Sequence, residues 1–178
     1  MSFPDALTFF RIISIPIIFF TFFSTQAWIG TFIFVLACLT DFLDGYVARA
    51  WQQTSRFGQI FDPIADKLLI VSMLFICTGF QRLSHFDLIP TLCIICRETL
   101  ISGVRETMSV HGFVLPSSSL SKLKTTLQML SITLILLNTH GFFLSLGITL
   151  LWIASLLSIY SGFFYLKTSL NYIKNHEH

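Results

Sequence analysis

Four of the nine acidic residues in this 178-residue chain fall in one stretch, DFLDGYVARAWQQTSRFGQIFDPIAD, which runs from Asp41 to Asp66. Asp41 and Asp44 are three apart and Asp62 and Asp66 four apart, so on a helix each pair shares one face. Carboxylates that converge repel one another and hold their protons more tightly unless cations intervene. Hard divalent cations with oxygen ligands are the natural partners, and such a set can bridge two of them. Gly45 and Gly58 have no Cβ and permit close approach of a ligand or a neighbouring helix. Arg49, one turn beyond Gly45, offers a planar fork to a phosphate or to a carboxylate of the same cluster. The competing reading is a buried polar cluster balanced by Arg49 and Lys67, with no ligand.

Composition decides which elements carry these residues. Hydrophobic residues make up 54% of the chain and charged residues 11%, against about 25% charged in soluble domains. Mean hydropathy is +0.77. Twenty Phe residues and runs such as Ile12 to Phe23 exceed the apolar surface that one soluble core of this size can hide. The bilayer is therefore the expected solvent. A spanning helix needs ~20 mostly apolar residues, and six segments qualify, approximately 6–25, 27–49, 60–80, 87–110, 119–139 and 142–168. The expectation is an all-α membrane protein, a six-transmembrane-helix bundle forming one domain over 1–178. Its boundaries are marked by Ser24-Thr25-Gln26, Trp51 to Arg56, Gln81 to Asp87, Pro116-Ser117-Ser118-Ser119 and Asn138 to Gly141. Met1 to Asp5 lacks a basic region, so the first apolar run is read as a retained span rather than a cleaved leader.

Basic residues set the expected orientation. Arg49, Arg56, Lys67, Arg105, Lys122, Lys124, Lys167 and Lys174 fall near helix ends that alternate onto one side, with Arg11 near the start of the first helix; only Arg82 falls in an opposite-side loop. The positive-inside rule then puts both termini and the second and fourth loops in the cytoplasm. The second helix runs toward that side and the third returns, which brings both acid pairs to the cytoplasmic edge. Ionisable groups in membrane segments cost at least ~2.5–3.5 kcal/mol each on insertion scales, a cost that implies use. A net charge of +2, evenly spread, argues against a nucleic-acid partner. Cys38, Cys77, Cys93 and Cys96 all lie in apolar runs and read as small hydrophobes. The CxxC of Cys93 and Cys96 lacks a second Cys pair or a nearby His for zinc. His85 and His140 are read as solvated loop residues.

Taken together, Asp41-x2-Asp44-Gly45-x2-Ala48-Arg49-x8-Gly58-x3-Asp62-x3-Asp66 resembles the complete signature of the CDP-alcohol phosphotransferase family, whose architecture is also six helices with the signature at the second and third. The resemblance implies a CDP-linked lipid donor, a homodimer, and Mg²⁺ or Mn²⁺ as cofactor with two ions per subunit. It also implies roles: Asp41, Asp44 and Asp62 as principal metal ligands, and Asp66 as a ligand of the second metal and the base that takes the acceptor's proton. The donor would be held by Asp44, Gly45, Ala48, Arg49 and Gly58. Further segments resemble the branch of that family that joins CDP-diacylglycerol to glycerol 3-phosphate: Leu7-Thr8-Phe9-Phe10-Arg11, Phe61-Asp62-Pro63-Ile64-Ala65-Asp66-Lys67, Arg97-Glu98 through Arg105-Glu106, and Lys122-Leu123-Lys124-Thr125-Thr126. The chain departs from its relatives at Asp5, where Asn is common, and at Ser121, where Gly is common. A bacterial inner membrane, with the active site facing the cytoplasm, is the implied location.

A phosphorylated acceptor needs cationic partners, and Arg97, Arg105, Lys122 and Lys124 on the fourth and fifth helices are the candidates. Glu98, Ser102 and Arg105 form one polar stripe expected to face the bundle interior, and Arg97 is expected to pair with a carboxylate. The same chemistry could serve inositol phosphate or serine. A divalent-cation transporter could also place acids in its helices, but it has no need of the Gly45, Arg49 and Gly58 spacing.

Overall fold

The computed structural model describes the backbone of residues 3–24, 26–51, 56–110, 119–137 and 141–176, and among these the side chains of 5–24, 26–40, 61–109, 120–137 and 141–172. The described chain is all-α. Its helices are α1 (Phe3–Phe23), α2 (Ala27–Trp51), α3 (Arg56–Gly79), α4 (Leu88–Val110), α5 (Ser119–Leu137) and α6 (Phe142–His176), with a short 3-10 turn at His85–Asp87 before α4. Asp5–Phe23, Leu120–Leu137 and Phe142–Tyr172 are long and apolar enough to cross a membrane, and the stretch Ala27–Thr40 of α2 is apolar as well. In α4 the charges of Arg97, Glu98, Arg105 and Glu106 dilute the apolar run. The expected boundaries move most at two places. The third helix begins at Arg56 instead of 60, and the sixth continues to His176 instead of 168. Hydropathy marks where a helix leaves apolar surroundings, whereas the backbone hydrogen-bond ladder can run on into polar sequence. Of the expected linker residues, Thr25, Gln52 to Ser55, Pro116 to Ser118 and Asn138 to His140 lie outside the described residues.

Two compact units form. The first comprises residues 1–82 and 132–147. Here α1 packs on both α2 and α3, and it is tied to α3 at two levels. Near the start of α1, Thr8 and Arg11 meet Asp62 and Asp66. Near its end, Phe22 and Phe23 lie with ring centroids 5.5 and 5.3 Å from that of Phe80, just beyond α3. These ties require α1 and α3 to run parallel. The end of α3 is closed by the Arg82 amide donating to the Cys77 carbonyl, 2.9 Å, around Gln81 at φ 53°. This is the left-handed closure that glycine usually supplies, and the Arg82 guanidinium lies 5.7 Å above the Phe22 ring. At the α1–α2 turn the Gln26 amide donates to the Thr21 carbonyl, 3.1 Å, and α2 reverses direction. A Cβ at Gly30 would stand 2.9 Å from a Phe22 ring carbon, so only glycine lets α2 approach α1 there.

The second unit comprises residues 83–131 and 148–178. Ser84 opens the turn before α4, its backbone N–H and hydroxyl both donating to the buried Asp87 carboxylate at 3.1 and 2.6 Å. Trp152 Nε1 of α6 donates to the same carboxylate, 3.2 Å. Further along, Arg97 reaches Ser161, and Ile101 and Met108 cluster with Tyr165, flanked by Val104, Leu166 and Tyr172. Contacts that advance together along both chains make α4 and α6 parallel neighbours. Ser155, Ser158, Ser161 and Ser169 of α6 are all buried. Small hydroxyl residues let helices approach closely and satisfy themselves on their own backbone, as Ser161 and Ser169 do on the Ser158 and Tyr165 carbonyls.

Candidate active site

The carboxylates on α3 are held from α1. Thr8 Oγ1 donates to Asp62 Oδ1, and Arg11 Nη1 donates to Asp66 Oδ1. The spacing explains the match: residues three apart on α1 face residues four apart on a parallel α3, one turn of each. Arg11 is 1% exposed and the Asp66 side chain 33%. The guanidinium is thus sealed in the helix interface, where a charge is tolerated only when paired, while the carboxylate it orients opens outward.

Asp41 and Asp44 lie on the C-terminal half of α2; their side chains, with those of Arg49 and Ala48, lie outside the described side chains, as do Gly45 and Gly58. The backbone still fixes their level. Gly30 of α2 packs against Phe22 of α1, and the two helices run in opposite senses from there. Asp41 and Asp44 are then about 16–21 Å along α2 from that contact. Arg11 and Thr8 are the same distance back along α1. Among the described residues no three such ligands assemble, because two of the four acids are outside that set. The donor set fits a hard divalent cation: Asp62 and Asp66 offer oxygen only, sit one turn apart on one helix face, and are half-buried.

The four candidate acceptor cations separate into different settings. Arg97 Nη1 donates to Glu98 Oε1 at 3.2 Å, and its Nη2 donates to Ser161 Oγ at 2.9 Å. Lys124, buried, donates to the same Glu98 Oε1. Arg97 does pair with a carboxylate, as its depth in the bundle requires. Arg105 instead lies at the exposed end of the stripe, its Cζ 5.5 Å above the Tyr165 ring and its Nη2 3.4 Å from the Tyr165 hydroxyl. Glu98 and Ser102 are half-buried, so the stripe turns from interior to surface along its length rather than facing inward throughout. Lys122 is exposed: two residues from Lys124, it points to nearly the opposite side of α5.

In the sequence Arg11 stood out as a charge marking orientation, and Thr8 and Arg11 as part of a segment resembling the family branch, without a role for either side chain at the acids. A signal was present: Asp5, Thr8, Arg11 and Ser14 recur every three residues, one polar stripe on a mainly apolar first helix. Ser161 and Gly162 were also missed. Their signal was the run of small residues in Ser155, Ser158, Ser161 and Gly162 within an apolar helix.

Residues 1–160 match the family model described as CDP-alcohol phosphatidyltransferase. The chain belongs to that family. Among curated relatives, the Rickettsia bellii protein named CDP-diacylglycerol–glycerol-3-phosphate 3-phosphatidyltransferase is 40% identical over 176 residues, covering 95% of this chain and 96% of its own. Proteins of the same name from Haemophilus influenzae and Cereibacter sphaeroides are 39% and 32% identical, covering 93% and 98% of this chain and 92% and 98% of their own.

Proposed function

We propose that the chain transfers the phosphatidyl group of CDP-diacylglycerol to glycerol 3-phosphate, giving phosphatidylglycerol phosphate and CMP. The near full-length similarity to enzymes of that name supports this. The observation that carries the chemistry is Asp62 and Asp66 on one face of α3, each oriented from α1. The acceptor's primary hydroxyl oxygen attacks the phosphatidyl phosphorus, the bond from that phosphorus to the CMP oxygen breaks, and the hydroxyl proton passes to Asp66. Asp41, Asp44, Asp62 and Asp66 would hold Mg²⁺ or Mn²⁺, two ions per subunit. When bound, these supply charge neutralisation at the pyrophosphate and to the departing CMP. Asp44, Gly45, Ala48, Arg49 and Gly58 would seat the CDP-lipid, and Arg97, Arg105, Lys122 and Lys124 the acceptor's phosphate. Six spans with both termini in the cytoplasm, a homodimer, and an active site facing the cytoplasm from a bacterial inner membrane complete the reading, supported by the charge distribution and the family.

Arg105→Ala tests the acceptor assignment. A charge-assisted contact to phosphate contributes ~1.5–3 kcal/mol, or roughly ten- to a hundredfold in binding. The KM for glycerol 3-phosphate is expected to rise by that factor while the KM for CDP-diacylglycerol stays put. A rise in donor KM instead would move Arg105 to the nucleotide, and loss of thermal stability with neither KM changed would leave it a partner of Tyr165 only.

A further inference from the structure

One carboxylate oxygen in the second unit serves two buried cations. Glu98 Oε1 accepts from both Arg97 Nη1 and Lys124 Nζ, with side chains 9% and 3% exposed. Two positive charges against one negative leave this buried group with a surplus of one positive charge. A surplus of that kind inside a membrane bundle is costly without an anion. The α6 side of the group makes room for Arg97. A Cβ added to Gly162 would lie 3.0 Å from Arg97 Cγ and 3.2 Å from Arg97 Nε, so the arginine stem crosses α6 where α6 has no side chain. Ser161, the next residue, takes Arg97 Nη2. Arg97 Nε and Ser158 Oγ are buried there without a hydrogen-bond partner.

Resting on the acceptor reading above, we propose that Glu98 is a positioning residue which draws Arg97 and Lys124 onto one oxygen as a single receptor for the acceptor's phosphate, and that Gly162 provides the notch in which Arg97 is held. Without Glu98 the two cations face each other in surroundings of low dielectric, where like charges repel strongly, and they separate. The dianionic phosphate then loses a preorganised pair and meets two mobile side chains. Selection for phosphorylated over neutral acceptors follows from the surplus charge: a neutral alcohol offers nothing to offset it.

The test uses the full-length protein in detergent, with inorganic phosphate as a probe independent of turnover. Glu98→Gln is expected to raise the KM for glycerol 3-phosphate and the inhibition constant for inorganic phosphate together, by roughly ten- to a hundredfold, with the KM for CDP-diacylglycerol unchanged. Glu98→Asp is expected to recover part of the loss. Gly162→Ala keeps every charge and displaces Arg97, so it should raise the same two constants, by a smaller factor, even if Glu98→Gln fails to fold. Unchanged or lowered constants in the variants that fold would overturn the proposal, because Glu98 would then be a packing partner or a competitor of the phosphate. Should the wild-type protein ignore glycerol 3-phosphate yet bind inorganic phosphate in a Glu98-dependent way, the acceptor reading falls and the anion receptor stands. Failure of phosphate to bind the wild-type protein would sink the receptor itself.

Discussion

Replacing Asp66 with asparagine is expected to lower turnover by ~10²- to 10⁴-fold, the range general bases contribute, while the protein stays folded. The amide keeps the shape of the carboxylate and an oxygen that can still accept from Arg11, so the α1–α3 contact is retained in outline, at a lowered thermal midpoint because the buried guanidinium loses its counter-charge. What it cannot do is accept the proton of the acceptor hydroxyl. The measurement is the rate of CMP release at saturating donor and acceptor, with thermal midpoint and elution volume as controls for folding. Activity above about a tenth of wild type would remove Asp66 from the proton-accepting role. Raising the Mg²⁺ or Mn²⁺ concentration should rescue Asp41→Asn more than Asp66→Asn, because added metal offsets a lost ligand but not a lost proton acceptor.

Arg11→Met is expected to lower the thermal midpoint in detergent by about 6–12 °C. Removing one partner of a buried ion pair costs ~3–5 kcal/mol; the lower end applies because the Asp66 side chain is one-third exposed and water can replace part of what the guanidinium supplied. In a chain of this size each kcal/mol shifts the midpoint by roughly 2–4 °C. Methionine keeps the length and apolar bulk of the stem, so loss of packing adds little. A double-substitution cycle isolates the pair: Arg11→Met combined with Asp66→Asn should be less destabilised than the sum of the two single changes. Additive effects, within about 0.5 kcal/mol, would show that Arg11 stabilises α1 without acting through Asp66.

Both substitutions fall where sequence and structure divide the explanation between them. The pairing of Asp62 and Asp66 on one face of α3 was legible because i, i+4 spacing fixes a face within one helix, and because acids in an apolar run demand a reason. Six α-helices among the described residues fall where hydropathy marked apolar segments, and three of them are long and apolar enough to cross a membrane. The azimuth of one helix against another was not legible. No spacing within α1 says that Thr8 and Arg11 meet residues 54 and 55 positions later; that depends on how whole helix surfaces pack. For the same reason Lys122 and Lys124, two apart in sequence and equal in charge, were read alike, although one is exposed and the other buried on Glu98. The polar stripe of α4 was read as uniformly inward, yet it passes from half-buried Glu98 and Ser102 to exposed Arg105, which lies on Tyr165. The continuation of α6 through Lys167 and Asn171 to His176 escaped a reading based on apolar length, since a helix needs no membrane to satisfy its own backbone.

The most direct measurement of the central claim is CMP release from CDP-diacylglycerol by the purified protein in detergent, with each acceptor offered separately: glycerol 3-phosphate, inositol phosphate, serine and glycerol. Rapid release with glycerol 3-phosphate alone is expected, with phosphatidylglycerol phosphate as the lipid product and loss of the reaction when Mg²⁺ and Mn²⁺ are chelated. Preferential use of serine or glycerol, or CMP release that does not depend on any acceptor, would contradict it.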